Sequence, residues 1–310
     1  MKRNNLNRRD FIRGSAVLAG TALWSPWSLT DARAQTVSAV ASGARRTATD
    51  QVKLGNTGIK LSRLGIGTGV NGGRDQAVSG KEAFIRVVRH AYDQGITYID
   101  AAQRYETFPW MGDAIKGIPR ERLYIQSKIP GPPPEDILAA IDNHRKNFNT
   151  DYIDSILVHC MTREGWTDQW KRAMDGFAEA KERKWIRCKG VSCHRLGALR
   201  EATASDFNEV HLVRVNPQGW HMDDVTRAPE DGNADISNVM AEIKSMHAKG
   251  RGVIGMKIFG DGDFRTSEAR ERSMRFAMSF KEINAIVIGF ERTSEIDDTI
   301  AMMNRVLAEV

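Results

Sequence analysis

Hydrophobic positions along most of the chain alternate between short strand-like runs and longer helix-like stripes. The run Ile156-Leu-Val158 is apolar at consecutive positions, as is typical of strands buried on both faces of a parallel sheet. The stretch 81–94 instead has apolar residues at helical spacing and stops at Gly95, which predicts an amphipathic helix. Eight such strand-then-helix units follow one another, so the predicted fold class is α/β, a (β/α)8 TIM barrel. A doubly wound open sheet is the alternative, and the count of eight units favours the barrel.

An N-terminal β-hairpin is predicted ahead of the barrel, at residues 51–63. Its two short strands flank the turn Gly55-Asn-Thr-Gly58, whose residues favour tight turns. The predicted barrel strands are 64–67, 97–99, 123–128, 155–159, 186–192, 210–215, 252–257 and 286–289. The predicted helices are 81–94, 111–116, 135–148, 168–184, 196–203, 233–248, 266–279 and 294–308.

The first 34 residues have a different character. The pair Arg8-Arg9 is followed by the uncharged run 14–24 and then by Ala32-Arg33-Ala34, a small-x-small site before Gln35. This order resembles a twin-arginine (Tat) export signal, with Asn7 where Ser or Thr is commoner. A transmembrane anchor and a basic arm are the alternatives, but the apolar run is shorter than the ~20 residues that a span requires.

These features divide the chain into a Tat signal peptide at 1–34, a linker at 35–50 and a barrel at 51–310. The resemblance implies that the Tat export machinery is a partner and that the mature protein is periplasmic, without a stable membrane anchor. Most of the formal net charge of +6 lies in the first 50 residues. The barrel itself is nearly neutral, so no nucleic-acid partner is expected. A monomer is expected.

Three predicted strands end on ionisable residues, and a tyrosine follows the first of them. Asp100, Lys128 and His159 close the second, third and fourth barrel strands, and Tyr105 comes five residues after Asp100. The carboxyl ends of the strands of a parallel barrel converge on the face that carries the chemistry. We therefore expect these four side chains to meet there.

From residue 52 onwards the chain resembles the aldo/keto reductases. The matching segments are Leu54-Gly-Asn-Thr-Gly-Ile-Lys-Leu-Ser-Arg-Leu-Gly-Ile-Gly-Thr68, Ile99-Asp-Ala-Ala-x-x-Tyr105, Ser127-Lys128, Leu157-Val-His159 and Gly190-Val-Ser192. The resemblance implies a proton donor at Tyr105, tuned by Lys128 and Asp100, and a carbonyl-orienting role for His159. It also implies a nicotinamide cofactor, NADPH or NADH, and a small-molecule carbonyl or alcohol substrate.

The chemistry of these residue types agrees with those roles. Carbonyl reduction needs a proton donor at the oxygen where negative charge develops. A tyrosine has an ordinary pKa of ~10, and a nearby ammonium is expected to lower that pKa. A neutral imidazole beside the oxygen orients the carbonyl. Taken singly, each residue also fits a structural role such as a helix cap, a surface charge or a packed ring.

Several expected cofactor positions depart from the family pattern. Cys193 follows Ser192 where the family has Asn, Leu212 stands where it has Gln, and Met256 stands where it has a stacking aromatic ring. The predicted cofactor-binding residues are Thr68, Ser192, Cys193, Met256, Lys257, Gly260, Gly289, Phe290, Arg292, Glu295 and Asp298. Glu295 aligns with the arginine that would hold the adenosine 2′-phosphate, and an acid there would repel a phosphate, although Arg292 could compensate its charge. NADH, or a relaxed preference between the two cofactors, is therefore expected.

The predicted function is an exported NAD(P)(H)-dependent oxidoreductase that interconverts a carbonyl and an alcohol. The alternative is a nucleotide-binding barrel with little turnover, acting as a sensor or a structural module. No metal site is predicted, because adjacent residues on a strand point to opposite faces, and at most one residue each of His159-Cys160 and Cys193-His194 would face the mouth. The three cysteines do not form a disulfide framework.

Overall fold

A computed structural model of the protein describes residues 45–219, 222 and 236–310. Eight parallel strands close into a barrel in the order β10-β3-β4-β5-β6-β7-β8-β9, and a separate two-stranded antiparallel sheet pairs β1 with β2. The (β/α)8 barrel and its N-terminal hairpin are therefore confirmed. The predicted export signal, residues 1–34, lies outside the described residues.

The strands and helices of the described residues have the following bounds. The hairpin strands are β1 Gln51–Lys53 and β2 Lys60–Ser62. The barrel strands are β3 Leu64–Gly67, β4 Tyr98–Asp100, β5 Tyr124–Pro130, β6 Ile153–Met161, β7 Ile186–Cys193, β8 Val210–Arg214, β9 Gly252–Met256 and β10 Ala285–Gly289. The helices are α1 Arg74–Ala77, α2 Lys81–Asp93, α3 Met111–Ile115, α4 Ile137–Phe148, α5 Trp166–Glu182, α6 Leu196–Ala204, α7 Ile236–Ala248, α8 Ser267–Met278 and α9 Thr293–Leu307.

Two helix starts differ from the sequence pattern because of their capping residues. The helix predicted at 135–148 begins two residues later, at Ile137, because Asp136 caps it, with its Oδ1 accepting a hydrogen bond from the Ala139 amide at 2.9 Å. Helix α5 begins at Trp166, two residues earlier than predicted, directly after Gly165 in a left-handed conformation. The four-residue helix α1, in the connection after β3, was not predicted.

Apolar side chains fill the barrel in two layers. An inner group inside the strands includes the edge-to-face pair Tyr98 and Tyr124, with ring centroids 5.1 Å apart. A larger outer group lies between the strands and the surrounding helices. Leu54 of the hairpin belongs to the inner group and packs against Gly252, where a Cβ would lie 2.5 Å from the Leu54 side chain. The hairpin thus closes the amino-terminal end of the barrel, and the strand exits at the opposite end remain accessible.

None of the helices in the described part of the chain combines the length and the hydropathy that crossing a bilayer requires.

Candidate active site

The structure brings Asp100, Lys128 and Tyr105 together at the exits of β4 and β5. Lys128 Nζ donates to Asp100 Oδ2 at 2.7 Å and to the Ala101 carbonyl at 2.8 Å, and it lies 3.4 Å from the Tyr105 hydroxyl. Lys128 is 1 % exposed and Asp100 5 %. A buried ammonium and a buried carboxylate that share hydrogen bonds form a rigid pair, which fixes the lysine against the tyrosine.

Gln126 extends this cluster into the barrel interior. Its Nε2 donates to Asp100 Oδ1 at 2.8 Å and to the Tyr98 hydroxyl at 2.9 Å. Both carboxylate oxygens of Asp100 therefore have a partner, and the carboxylate cannot rotate without losing one. The motifs did not single out Gln126, although it lies two residues before Lys128 and so faces the same side of β5.

His159 lies on β6, with its ring 5.7 Å from the Tyr105 ring in an edge-to-face arrangement. Burial lowers the pKa of His159 to about 3, and the positive charges of Lys128, Arg104 and Lys257 act in the same direction. The imidazole is therefore neutral at neutral pH and can donate one hydrogen bond to a carbonyl oxygen beside Tyr105.

The tyrosine itself behaves differently from the sequence-based expectation. Burial raises the pKa of Tyr105 well above its ordinary value, and the negative charge of Asp100 raises it further. A lowered pKa was expected from Lys128, but that ammonium is neutralised by Asp100 and its own pKa is lowered by burial. Tyr105 therefore holds its proton throughout the physiological range, which is the state that a proton donor requires.

A β-bulge in β6 places Cys160 at the mouth of the barrel beside His159. The register between β6 and β7 shifts between Val158 and Met161, and Cys160 has a left-handed φ of 64°. Its Sγ lies 3.5 Å from His194 Nδ1, and the residue is exposed. The expectation that only one of His159 and Cys160 faces the mouth is therefore wrong, because a bulge breaks strand alternation.

On β7 the alternation holds, and it turns Cys193 away from the mouth. The Cys193 thiol packs in the outer layer, 3.6 Å from the Ala198 carbonyl, while Ser192 and His194 face the barrel axis. Ser192 Oγ lies 3.2 Å from His194 Nε2. The structure thus brings Ser192 to the mouth and does not bring Cys193 there.

His194 also contacts an arginine that the sequence motifs did not single out. Arg214 Nη2 lies 2.5 Å from His194 Nδ1, and Arg214 Nη1 donates to the His194 carbonyl at 3.3 Å. Because a guanidinium can only donate, Nδ1 accepts and the ring proton sits on Nε2, which donates to Ser192 Oγ. Arg214 lies two residues after Leu212 on β8, a spacing that would have placed it on the same face.

A cleft of about 960 Å³, including its open mouth, runs from Tyr105 and Asp100 towards the start of α9. Five of the predicted cofactor positions line it: Met256, Lys257, Gly289, Phe290 and Glu295. Asp261 and Arg270 also line the cleft and were not predicted. Asp261 forms an ion pair with Lys257, and both have left-handed backbone conformations at the exit of β9.

The remaining predicted cofactor residues do not line this cleft. Thr68 is fully buried, and its hydroxyl donates to the Asp100 carbonyl at 3.0 Å, so it joins the exits of β3 and β4. Gly260 lies in the β9 loop one residue before Asp261, and Asp298 is exposed on α9. Arg292 is largely exposed at the start of α9, adjacent to the cleft rather than on its wall.

Glu295 has a structural role that the sequence comparison did not foresee. Its carboxylate accepts hydrogen bonds from the backbone amides of Glu291 and Arg292, and it pairs with the Arg292 guanidinium at 2.7 Å. It therefore caps the amino terminus of α9 by accepting from these amides, and its charge is compensated locally. The compensation by Arg292 that the sequence left open is therefore present in the structure.

Among the described residues, no group of three or more His, Cys, Asp or Glu side chains is arranged to hold a metal ion.

Comparison with known proteins identifies the family of the chain. A sequence model of the aldo/keto reductase family matches residues 63–309, which is most of the chain. The chain belongs to the aldo/keto reductase family. It is 30% identical over 156 residues to the glyoxal reductase of Bacillus subtilis, covering 49% of this chain and 52% of that protein. The chain spans about half the length of the curated relatives it matches.

Solved structures agree on the fold. A thermostable aldo-keto reductase in complex with the inhibitor epalrestat has a TM-score of 0.65 at 20% identity, with 84% of this chain and 98% of that chain covered. The aldo/keto reductase from Klebsiella pneumoniae in complex with NADP and acetate has a TM-score of 0.61 at 15% identity, with 84% of this chain and 91% of that chain covered. At these identities the likeness concerns the barrel alone.

The residues of the cleft suit the dinucleotide that an aldo/keto reductase uses. Gly289 forms part of its floor, and a Cβ there would lie 2.1 Å from Val70 Cγ2, so a larger residue would alter the wall. Lys257, which pairs with Asp261, and Arg270 line the cleft and would face a bound pyrophosphate, and Met256 would offer a polarisable surface to a nicotinamide ring. The fifteen-residue helix α9 directs its amino terminus to the far end.

Proposed function

We propose that this aldo/keto reductase interconverts a carbonyl and an alcohol with a nicotinamide dinucleotide, using Tyr105 as the proton donor. The observation that carries the proposal is the buried Lys128–Asp100 pair held 3.4 Å from the Tyr105 hydroxyl, at one end of a cleft suited to the dinucleotide. On the basis of this geometry, we propose that Asp100, Tyr105, Lys128 and His159 have the roles that the family resemblance implies.

The protein residues supply orientation and a proton. A substrate carbonyl accepts hydrogen bonds from the Tyr105 hydroxyl and from the neutral His159 imidazole. As negative charge develops on its oxygen, the Tyr105 proton moves to that oxygen, and the buried Lys128 ammonium stabilises the phenolate that remains. Asp100 keeps Lys128 in place. The bound dinucleotide supplies the hydride.

The test is reduction of a generic aldehyde by the purified protein, followed as loss of reduced-cofactor absorbance. Tyr105→Phe should lower kcat by at least about a hundredfold, since general acid catalysis contributes roughly 10²–10⁴-fold. Tyr92→Phe on α2 is the matched control and should retain full activity. An unchanged kcat in Tyr105→Phe would refute the proposed role.

The alternative of a nucleotide-binding module with little turnover is not favoured by the relatives, which are named as reductases and dehydrogenases. The same experiment separates the two functions. Tight cofactor binding without turnover of any aldehyde or ketone, unaffected by Tyr105→Phe, would support the module.

For the cofactor we propose NADP(H). The Klebsiella pneumoniae protein is complexed with NADP, so the predicted preference for NADH gains no support from it. Glu295 is held by its capping contacts, and the exposed Arg292 beside the cleft would pair with a 2′-phosphate while Glu295 stays on the helix amides. The test is to measure the dissociation constants of NADPH and NADH by quenching of tryptophan fluorescence, and NADPH should bind more tightly. Tenfold tighter binding of NADH would contradict the proposal.

We also propose that residues 1–34 direct export through the Tat pathway to the periplasm. The support is the order of the Arg8-Arg9 pair, the apolar run 14–24 and the small-x-small site at 32–34. The protein recovered from the periplasmic fraction should have the intact mass of a chain that begins at Gln35. An Arg8→Lys, Arg9→Lys variant should remain cytoplasmic, and its export at normal yield would contradict the proposal.

A further inference from the structure

Tyr105 lies in the connection between β4 and α3, outside any strand, so contacts with neighbouring segments determine where its hydroxyl lies. The hydroxyl is 3.4 Å from Lys128 Nζ, which is longer than the roughly 2.7–3.2 Å of an ordinary N–H···O hydrogen bond. Among the described residues the hydroxyl has no shorter hydrogen bond. The packing of the ring therefore has to fix its position.

The backbone of Gly69, two residues after the end of β3, makes the close contact with this ring. A Cβ at Gly69 would lie 2.2 Å from both Cε2 and Cζ of Tyr105, and Cζ is the atom that carries the hydroxyl. Gly69 has a φ of −127°, so a left-handed conformation is not what requires glycine here. The ring of Tyr105 therefore occupies the space in which residue 69 would otherwise carry a side chain.

Hydrogen bonds join the β3 loop, defined here as residues 68–73, to the connection that carries the tyrosine. The Thr107 hydroxyl donates to the Thr68 carbonyl at 2.7 Å, and both threonines are fully buried. The amide of Glu106 donates to the Gly72 carbonyl at 3.0 Å. The β3 loop thus cannot move away from the tyrosine without breaking hydrogen bonds, one of which is buried.

The same loop forms part of the wall of the dinucleotide cleft. Gly69 and Val70 line the cleft together with Gly289 of β10. Because a Cβ at Gly289 would lie 2.1 Å from Val70 Cγ2, the loop is packed against β10 as closely as it is against Tyr105. The β3 loop therefore contacts both the wall of the cleft and the proton donor.

We propose that Gly69 is a positioning residue for the proton donor, and that the β3 loop sets the distance between the Tyr105 hydroxyl and the cofactor cleft. The inference rests on the proposed reductase function and deepens the account of the same site. A Cβ at residue 69 would move the two ring atoms from 2.2 Å to an ordinary contact of at least 3.4 Å, a shift of 1.2 Å. A misplacement of about 1 Å at a reacting group costs up to about a hundredfold in rate.

The test is Gly69→Ala, assayed for reduction of a generic aldehyde at saturating NADPH. Active sites are counted by fluorescence titration with NADPH, so that unfolded protein does not enter kcat. The variant should lose about 10- to 100-fold in kcat, while KM for the aldehyde and Kd for NADPH change by less than about threefold. Gly131→Ala is the matched control, because a Cβ there would meet nothing closer than Trp170 at 4.0 Å, and its kcat should equal that of the wild type.

A double-variant cycle with Tyr105→Phe separates the positioning of the hydroxyl from a general structural effect. Once the hydroxyl is absent, its position no longer matters. Introducing Gly69→Ala into Tyr105→Phe should therefore reduce the residual kcat by less than about twofold.

A second variant tests the inference if Gly69→Ala does not fold. Thr107→Val removes the hydrogen bond to Thr68, which is worth about fivefold in an equilibrium constant, and should lower kcat by about that factor. Thr203→Val is its control, since it removes a buried hydrogen bond to the Leu199 carbonyl within α6, and its kcat should be unchanged. An unchanged kcat in Thr107→Val would then refute the inference.

Three results with Gly69→Ala would overturn the inference and leave the reductase function intact. The first is a kcat within about twofold of the wild type, and the second is an equal loss in Gly131→Ala. The third is a loss in the Tyr105→Phe background as large as the loss in the wild-type background. An unchanged kcat in Tyr105→Phe itself would refute the proposed role of the tyrosine, and this inference with it.

Discussion

The buried pair of Asp100 and Lys128 should couple strongly in the stability of the barrel. The two side chains are 5 % and 1 % exposed, and they meet at 2.7 Å. Removing one partner of a buried pair leaves the other charge without compensation, at a cost of about 3–5 kcal/mol. We therefore expect Asp100→Asn to lower the free energy of unfolding by about 3 kcal/mol or more, because Asn keeps the shape but not the charge.

The double variant Asp100→Asn, Lys128→Met carries the sharper expectation. With both charges removed no buried ion is left, so the double variant should lose about 2–3 kcal/mol less than the sum of the two single variants. The assay is guanidinium denaturation at neutral pH, followed by fluorescence of the seven tryptophans. Equal m-values across the four proteins would establish that the transitions are comparable.

An exposed pair provides the control. Glu179 and Arg183 form an i,i+4 ion pair on α5 with 46 % and 47 % of their side chains exposed. The same cycle there, Glu179→Gln with Arg183→Met, should give a coupling below about 0.5 kcal/mol. A coupling at Asp100 and Lys128 no larger than this control would refute the reasoning, since it would mean that the pair is already solvated in the native state.

Three further predictions follow from the pKa shifts and the charges. Because burial raises the pKa of Tyr105, the rate of carbonyl reduction should be constant from about pH 6 to about pH 9. The rate of alcohol oxidation, which needs the phenolate, should rise throughout this range. An oxidation rate that levels off near neutral pH would contradict this. Burial lowers the pKa of His144 from 6.5 to about 3, so the unfolded chain binds a proton here at a higher pH than the folded protein does. The contribution of neutral His144 to the free energy of unfolding is therefore fully present above pH 6.5 and is lost as the pH drops towards 3. His144→Phe should reduce the loss of unfolding free energy by up to about 1.4 kcal/mol per pH unit, measured by denaturation at pH 6.5 and pH 5. His247→Gln is the control. An unchanged pH dependence in His144→Phe would show that His144 does not contribute to the loss of stability in acid. Arg292→Gln should raise the dissociation constant of NADPH about tenfold and leave that of NADH nearly unchanged, and equal effects on both in fluorescence titration would show that Arg292 does not contact the 2′-phosphate.

The barrel and its proton-donating cluster could be predicted because both depend on strand periodicity. The apolar runs determine where strands lie, and parallel strands in a barrel all end at one face, so Asp100, Lys128 and His159 had to converge. The ionisation of Tyr105 could not be predicted in the same way. The motif shows that a lysine is near, but the direction of the pKa shift depends on how much water burial removes, and only the packed structure shows this.

The position of Cys160 depends on contacts distant in sequence. The amide of His194 donates to the Met161 carbonyl at 2.9 Å, and Met161 pairs with Cys193 across β6 and β7. These contacts hold the strand after the bulge, and Cys160 takes up the extra residue with a φ of 64°. Glycine often marks a bulge whose extra residue has a left-handed conformation, and none is present here, so alternation predicted the wrong face.

Arg214 shows why comparison at single positions understated the polar character of this site. Aligned with the family, β8 has Leu212 in place of a polar residue, and the sequence therefore indicated a loss of polar contacts at the mouth. In the barrel, Leu212 is 1 % exposed and belongs to the inner apolar layer. The residue two places further along β8 faces the same interior one layer nearer the mouth, and there Arg214 meets His194. The polar side chain of β8 therefore lies one layer nearer the mouth than the family pattern indicates, as a guanidinium at residue 214 instead of an amide at residue 212.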